Sequence, residues 1–340
     1  MKDCLNAAII GCGAISKVHA AAINASEYAN IYCVCDTDNE KLDAAMKEYG
    51  CKGYASLDEV IADENVDVVH ICTPHYLHAS MLEASVKAGK KVVVEKPMTM
   101  NVTEYRHAYD VVKETNGVVC SIIQNRFNPC IVKIKEMIES GKYGKVMGLR
   151  GILTWKRDAK YYASGPWRGK WDTEGGGVVI NQALHTIDLL CYLGKKPLSV
   201  KANYDNRSLQ GIIEVEDTAE AFIRMEDGVN ALFYATNAYC RDSCYDLEVV
   251  MENAYLKYML SNLYLIEKGE MTLLESDKME VCGKTCWGGG HKTVIGNFYS
   301  NLAGHGGEYT PFEAAAEYIG VFDALYKSAK SHVEEKVETM

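Results

Sequence analysis

The sequence contains no apolar run long enough to cross a bilayer, so a membrane-spanning helix is not expected. It has no surplus of positive charge: 36 Lys and Arg stand against 46 Asp and Glu, for a net charge of −10. That balance argues against nucleic acid as a partner, because such binding relies on neutralising phosphates with Lys and Arg. Internal repeats and low-complexity segments are absent. So is a disulfide pattern: the 13 cysteines are odd in number and scattered through apolar stretches, as at Cys33, Cys35, Cys72, Cys120 and Cys191. The opening "MKDCLNAAII" reads as a first strand rather than a signal peptide, and together these features fit a reducing cytoplasm. Cys240/Cys244 and Cys282/Cys286 lack the tight spacing of a zinc knuckle, and no metal is expected.

What is present is a two-part rhythm. At 340 residues the chain is too long for one ordinary core, so two domains are expected. Strand-like "LNAAII" (5–10), "IYCVCD" (31–36), "VDVVHICTP" (66–74), "KVVVEKP" (91–97) and "VVCSIIQ" (118–124) alternate with helical segments of about a dozen residues. Gly50 closes the helix of 39–50 and Gly89 that of 78–89. Strands apolar on both faces and separated by helices predict a doubly wound parallel sheet, an α/β Rossmann domain over 1–124. After that the pattern changes to longer alternating strands such as "KVMGLRGILTW", "DTAEAFIRM" and "NALFYATN", without helices between several of them. A second α/β domain with a large, mostly antiparallel sheet is expected over 125–340, ending in an amphipathic helix at about 311–331. A sheet face of that size invites a second copy, so a homodimer or homotetramer through the C-terminal sheet is expected.

The turn "IIGCGAIS" (9–16) lies between the first strand and the first helix. Gly11 permits the tight turn and Gly13 lets backbone approach a pyrophosphate held at the helix N-terminus, although Ser16 stands where the fingerprint has its third glycine. Asp36 ends the second strand, where it can accept from the adenosine ribose and repel a 2′-phosphate. NAD(H) is therefore expected over NADP(H). Cofactor contacts are expected from Gly11, Gly13, Ala14, Ile15, Asp36, Thr73, Pro74, His78, Glu95 and Lys96.

The stretch "KKVVVEKPMTM" (90–100) sets two charges at the mouth of a buried strand. Ligands of doubly wound folds bind off the carboxyl ends of the strands, which puts Lys96 beside the nicotinamide, with Pro97 stiffening the exit. Together, "GCGAIS", "CTPHYLHASMLEASVKAGKKVVVEKPM" and "GGGVVINQALHTIDLL" resemble the glucose–fructose oxidoreductase/inositol dehydrogenase/MocA family of NAD(P)-dependent oxidoreductases over essentially the whole chain. The resemblance implies that Lys96 is catalytic and orients substrate. The family's second motif usually carries Asp four residues before its histidine, where this chain has Asn181 and His185. Read as helix, this segment puts Asn181, His185 and Asp188 on one face. His185, an imidazole titrating near neutrality, can take the hydroxyl proton, whereas Asn181 can only donate and accept hydrogen bonds.

Three of the four tryptophans, Trp155, Trp167 and Trp171, fall within "TWKRDAKYYASGPWRGKW", and the fourth, Trp287, precedes "GGGH". Flat rings on glycine-containing segments suit a sugar, and the local basic excess permits an anionic one. Substrate contacts are expected from Lys96, Arg126, Trp155, Arg157, Tyr162, Trp167, Arg168, Asn181, His185 and His291, with Tyr76 and His78 weaker candidates. The expected activity is NAD-dependent oxidation of a ring secondary hydroxyl of a sugar, polyol or glycoside. Two alternatives use the same parts: an NAD-dependent glycosidase or lyase acting through a transient keto-sugar, and a non-catalytic NAD-bound sensor.

Overall fold

The computed structural model describes residues 4–277 and 289–338. The chain forms two compact units, each assembled from separate stretches. The first comprises Met1–Thr99, Thr103–Gln124 and Gly289–Ala315, and the second comprises Met100–Val102, Asn125–Gly288 and Ala316–Met340.

In chain order the first unit runs β1 (Leu5–Ile10), α1 (Ser16–Asn24), β2 (Ala29–Cys35), α2 (Asn39–Tyr49), β3 (Lys52–Tyr54), α3 (Leu57–Ala62), β4 (Val68–Ile71), α4 (His78–Lys87), β5 (Lys91–Val94), α5 (Val102–Thr115) and β6 (Val119–Ser121). Its six strands are parallel in the order β3-β2-β1-β4-β5-β6, so the order reverses between β1 and β4. Val68, Val69, Val92, Val93 and Val94 are wholly buried, as expected of strands covered on both faces. Gly50 ends α2 in the left-handed region at φ 65°, and Asp38 caps its start by accepting from Glu40 and Lys41 N–H. The short β3 and α3, held by the Ser56/Glu59 capping box, are elements the sequence reading passed over.

The second unit continues with α6 (Pro129–Glu139), β7 (Val146–Thr154), α7 (Ala159–Tyr162), α8 (Trp171–Glu174), α9 (Leu184–Leu193), β8 (Pro197–Asp205), β9 (Thr218–Met225), β10 (Asn230–Thr236), β11 (Asp246–Met251), β12 (Ala254–Met259), β13 (Asn262–Glu267) and β14 (Glu270–Ser276). The helix α10 (Gly290–Leu302) belongs to the first unit, where it packs on α1, and α11 (Ala316–Ser331) and β15 (Glu335–Lys336) return to the second. Nine strands run in the order β14-β13-β12-β11-β7-β10-β9-β8-β15, antiparallel except for β10 beside β7. Alternation sets the faces: Ala231, Phe233 and Ala235 of β10 are buried on the side covered by α9, while Leu232 and Tyr234 face out with Phe222 of β9. No helix among the described residues is long and apolar enough to cross a membrane.

Candidate active site

The first unit's site begins at the β1–α1 turn. Gly11 has φ 89°, and a Cβ there would lie 2.7 Å from the Cys72 carbonyl oxygen, so both backbone conformation and space demand glycine. A Cβ on Gly13 would meet nothing within 4 Å, which leaves the helix entrance open. Among the described residues no side chain caps the start of α1, and its first turn carries no acid. Its orphan N–H groups are thus complementary to a pyrophosphate. Asp36 ties the turn to the end of β2: Oδ2 accepts from Cys12 N–H at 2.8 Å and Oδ1 from Asp38 N–H at 2.9 Å. That holds a carboxylate where the fold takes the adenosine ribose.

At the carboxyl ends of β4 and β5 lie the half-buried Thr73, Pro74 and Lys96 and the buried His78 and Glu95. The His78 ring is fully enclosed between two backbone carbonyls, Pro97 O at 2.7 Å and Thr73 O at 2.8 Å. Burial pulls its pKa below 6.5, against the opposing pull of those two carbonyls. Glu95 Oε2 accepts the Lys96 peptide N–H at 3.1 Å. Its Oε1 accepts from His19 Nε2 at 3.0 Å and from His291 Nε2 at 3.3 Å.

In the second unit, a turn of three glycines leads to α9. Gly177 N–H donates to both oxygens of Glu216, at 3.0 and 2.9 Å, Val179 N–H donates at 3.0 Å, and the Tyr326 hydroxyl at 2.9 Å. A Cβ on Gly177 would stand 1.8 Å from the Glu216 carbonyl oxygen, so only glycine fits. Burial pushes the Glu216 carboxyl up to about 7 against these donors. Glu174, also wholly buried, accepts from Asn181 Nδ2 and from Gly169 N–H, both at 2.5 Å. The turn thereby delivers Asn181 and the half-buried His185, the second residue of α9.

Two arginines are interleaved with three rings nearby. Arg157 lies over Trp155 at 4.4 Å and Tyr161 at 5.1 Å; Arg168 lies over Tyr161 at 4.6 Å and Trp167 at 4.4 Å. The Tyr161 hydroxyl accepts from Arg168 Nη1 at 2.7 Å and Gln182 Nε2 at 2.9 Å, which ties this ladder to the turn before α9.

Two family models settle what these parts make up. Residues 5–123 match an oxidoreductase family with an NAD-binding Rossmann fold, and residues 131–257 match the GFO/IDH/MocA C-terminal domain. The chain belongs to the Gfo/Idh/MocA oxidoreductase family. Inositol 2-dehydrogenase of Rhizobium meliloti is 29% identical over 195 residues, 57% of this chain and 56% of that protein. The match thus spans little more than half of that relative. Levoglucosan dehydrogenase of Pseudarthrobacter phenanthrenivorans is 28% identical over 278 residues, 72% of this chain and 71% of its own length. Among solved structures, the WlbA dehydrogenase from Bordetella pertussis, in complex with NADH and UDP-GlcNAcA, is 26% identical with a TM-score of 0.86, covering 99% of this chain and 100% of that one. As in its family, the cofactor of this Gfo/Idh/MocA protein is NAD, and the β1–α1 turn and Asp36 fit it.

Several residues stand differently from the sequence reading of this Gfo/Idh/MocA chain. The helix α9 starts only at Leu184, so Asn181 sits in the preceding turn rather than on a shared helix face. Asp188 points into the interior and takes a fork from Arg126, Nε at 3.0 Å and Nη2 at 2.6 Å, which occupies a guanidinium expected at substrate. Trp155 and Tyr162 are buried because their polar ends find partners: Trp155 Nε1 donates to Ser243 O at 2.7 Å, and the Tyr162 hydroxyl accepts from Asn237 at 3.1 Å. Arg157 is buried with its Nη1 on Asp242 at 2.8 Å. His291, expected at substrate, is buried on Glu95. Trp287, Cys282 and Cys286 lie outside the described residues. Sequence reasoning missed His19, His70, Glu174 and Glu216. A histidine within the otherwise apolar "VVHIC" was the available signal, since a polar group there must find a buried partner.

Proposed function

We propose that this chain is an NAD-dependent dehydrogenase that oxidises a ring secondary hydroxyl of a sugar, polyol or glycoside. The observation that carries the reading is Lys96 at the carboxyl end of β5 of an NAD-binding unit, its peptide N–H anchored on the buried Glu95. NAD⁺, when bound, accepts the hydride. The ammonium of Lys96 holds and polarises the reacting oxygen, His185 takes the hydroxyl proton, and Asn181, with its amide nitrogen fixed on Glu174, orients the substrate by hydrogen bonding. Asp36 favours NAD⁺ over NADP⁺ because a 2′-phosphate would meet its carboxylate. The relatives named for inositol and levoglucosan support a carbohydrate substrate. The outward face of the second sheet, with Phe222, Leu232 and Tyr234 exposed, is proposed to pair with a second copy of the chain.

The test is a panel of sugars, polyols and aryl glycosides with NAD⁺, following NADH absorbance and free aglycone together. NADH formation without aglycone release is the expected result. Aglycone release without net NADH would favour the elimination chemistry instead. Inertness of every substrate, with NAD⁺ bound, would leave a sensor.

A further inference from the structure

Behind Lys96 the first unit buries a chain of four titratable side chains. Glu95 Oε1 meets His19 Nε2 at 3.0 Å, His19 Nδ1 meets His70 Nδ1 at 2.9 Å, and His70 Nε2 meets the Tyr299 hydroxyl at 2.7 Å. His19, His70 and Tyr299 have no solvent exposure, and Glu95 and His291 have 5% each. These groups come from α1, β4, α10 and the end of β5, so the chain spans the interior of the unit.

The hydrogen-bond directions follow by elimination. A carboxylate only accepts, so His19 and His291 both present Nε2–H to it. If His19 is neutral, its Nδ1 must accept, and His70 must supply Nδ1–H. His70 Nε2 is then an acceptor, and Tyr299 donates its hydroxyl proton. Each bond is satisfied with both His19 and His70 uncharged, and one negative charge resides on Glu95. The ionisation tendencies agree. Burial drives His19 down and His70 well below 6.5, and holds Tyr299 well above 10. Burial alone would raise Glu95, but the donors His19 and His291 pull it well below the usual carboxylate range. Of the titratable groups facing this chain, which also include Lys96 beside Glu95 and Asp67 and Cys120 beside Tyr299, His78 and Cys72 are both pushed by burial towards their neutral forms.

Such a chain is more than a means of filling space, because Glu95 stands at the strand end from which this fold presents ligands. The nicotinamide ring is cationic when oxidised and neutral when reduced, so a fixed charge near it shifts the balance between the two. We infer that Glu95 is a positioning residue with two effects: it anchors the Lys96 peptide, and its buried charge biases the bound nicotinamide toward the oxidised form. His19, His70, His291 and Tyr299 maintain that charge. The inference rests on the NAD assignment and not on the identity of the sugar.

The experiment is calorimetric titration of the full chain with NAD⁺, NADH and ADP-ribose, for wild type, Glu95→Gln and Glu95→Asp. Glu95→Gln is expected to lower Kd(NADH)/Kd(NAD⁺) by about tenfold, the effect usual for one nearby charge. For a two-electron couple this raises the bound potential by about 30 mV. ADP-ribose, which lacks the ring, should bind unchanged, and Glu95→Asp should keep the wild-type ratio. An unchanged ratio in Glu95→Gln, or parallel weakening of all three ligands, overturns the inference. Because Glu95→Gln could fail to fold, histidine ¹⁵N spectra of the wild type give a second reading at neutral pH. His19 is expected as the Nε2–H tautomer and His70 as Nδ1–H; a charged His19 or His70 would cancel the proposed field and overturn it as well.

Discussion

The buried Glu216 makes a quantitative statement about pH. Its carboxyl is raised from 4.5 to about 7 by burial, although Gly177, Val179 and Tyr326 donate to it. The folded state therefore retains a proton that the unfolded chain has already released. Stability contributed by this group is complete below about pH 4.5 and is lost as pH rises toward 7. At 1.36 kcal/mol per pKa unit the loss comes to roughly 3 kcal/mol. Glu216→Gln carries no titrating proton, so the stability difference, variant minus wild type, should grow by roughly 3 kcal/mol between pH 4.5 and pH 7.5. In a unit of this size that corresponds to roughly 6–12 °C in melting temperature. The assay is thermal unfolding of both proteins over that range, read as the difference so that all other carboxyls cancel. A difference that stays constant with pH would show that the three donors fully offset burial, and would refute the reasoning.

Lys96→Met should keep the fold and NAD⁺ binding while losing on the order of 10²–10⁴-fold in turnover, and combining it with His185→Ala should cost much less than the product of the two singles, measured by steady-state kinetics. Equal binding of NAD⁺ and NADP⁺ to the wild type would dismiss Asp36 as the discriminator; Asp36→Ala is expected to relax the preference, read by parallel titrations. Asp188→Asn removes the wholly buried carboxylate that pairs with the half-buried Arg126 and should destabilise by about 3–5 kcal/mol in denaturant unfolding.

The first sheet was legible because its strands are apolar on both faces and its helices end at glycines such as Gly50, where local conformation and pattern agree. The second sheet was legible only in part. Strands β12 to β14 carry mixed faces, as in "AYLKYM", whose half-buried positions blur the alternation. Short elements such as β3 fall below the length at which periodicity speaks. Residue types at the candidate site could be read from motifs, but not their pairings. The Arg126–Asp188 fork joins positions 62 residues apart, and the Glu95–His291 contact positions 196 apart. No spacing rule reaches such distances. Asn181 was placed on a helix because three glycines followed by apolar residues do not reveal where the first helical turn closes.

The interleaved path of the chain has a consequence for biosynthesis. The N-terminal unit waits for Gly289–Ala315, which the ribosome makes long after Gln124. Until then α1 lacks the helix that packs on it, and Glu95 lacks the donor of His291. A nascent or truncated chain ending at 124 would hold the six parallel strands yet expose the apolar side of α1 and leave the carboxylate behind Lys96 under-supplied. The nucleotide-binding half thus matures last at its reactive end, and a cut made at the apparent boundary would separate it from a piece of its own interior.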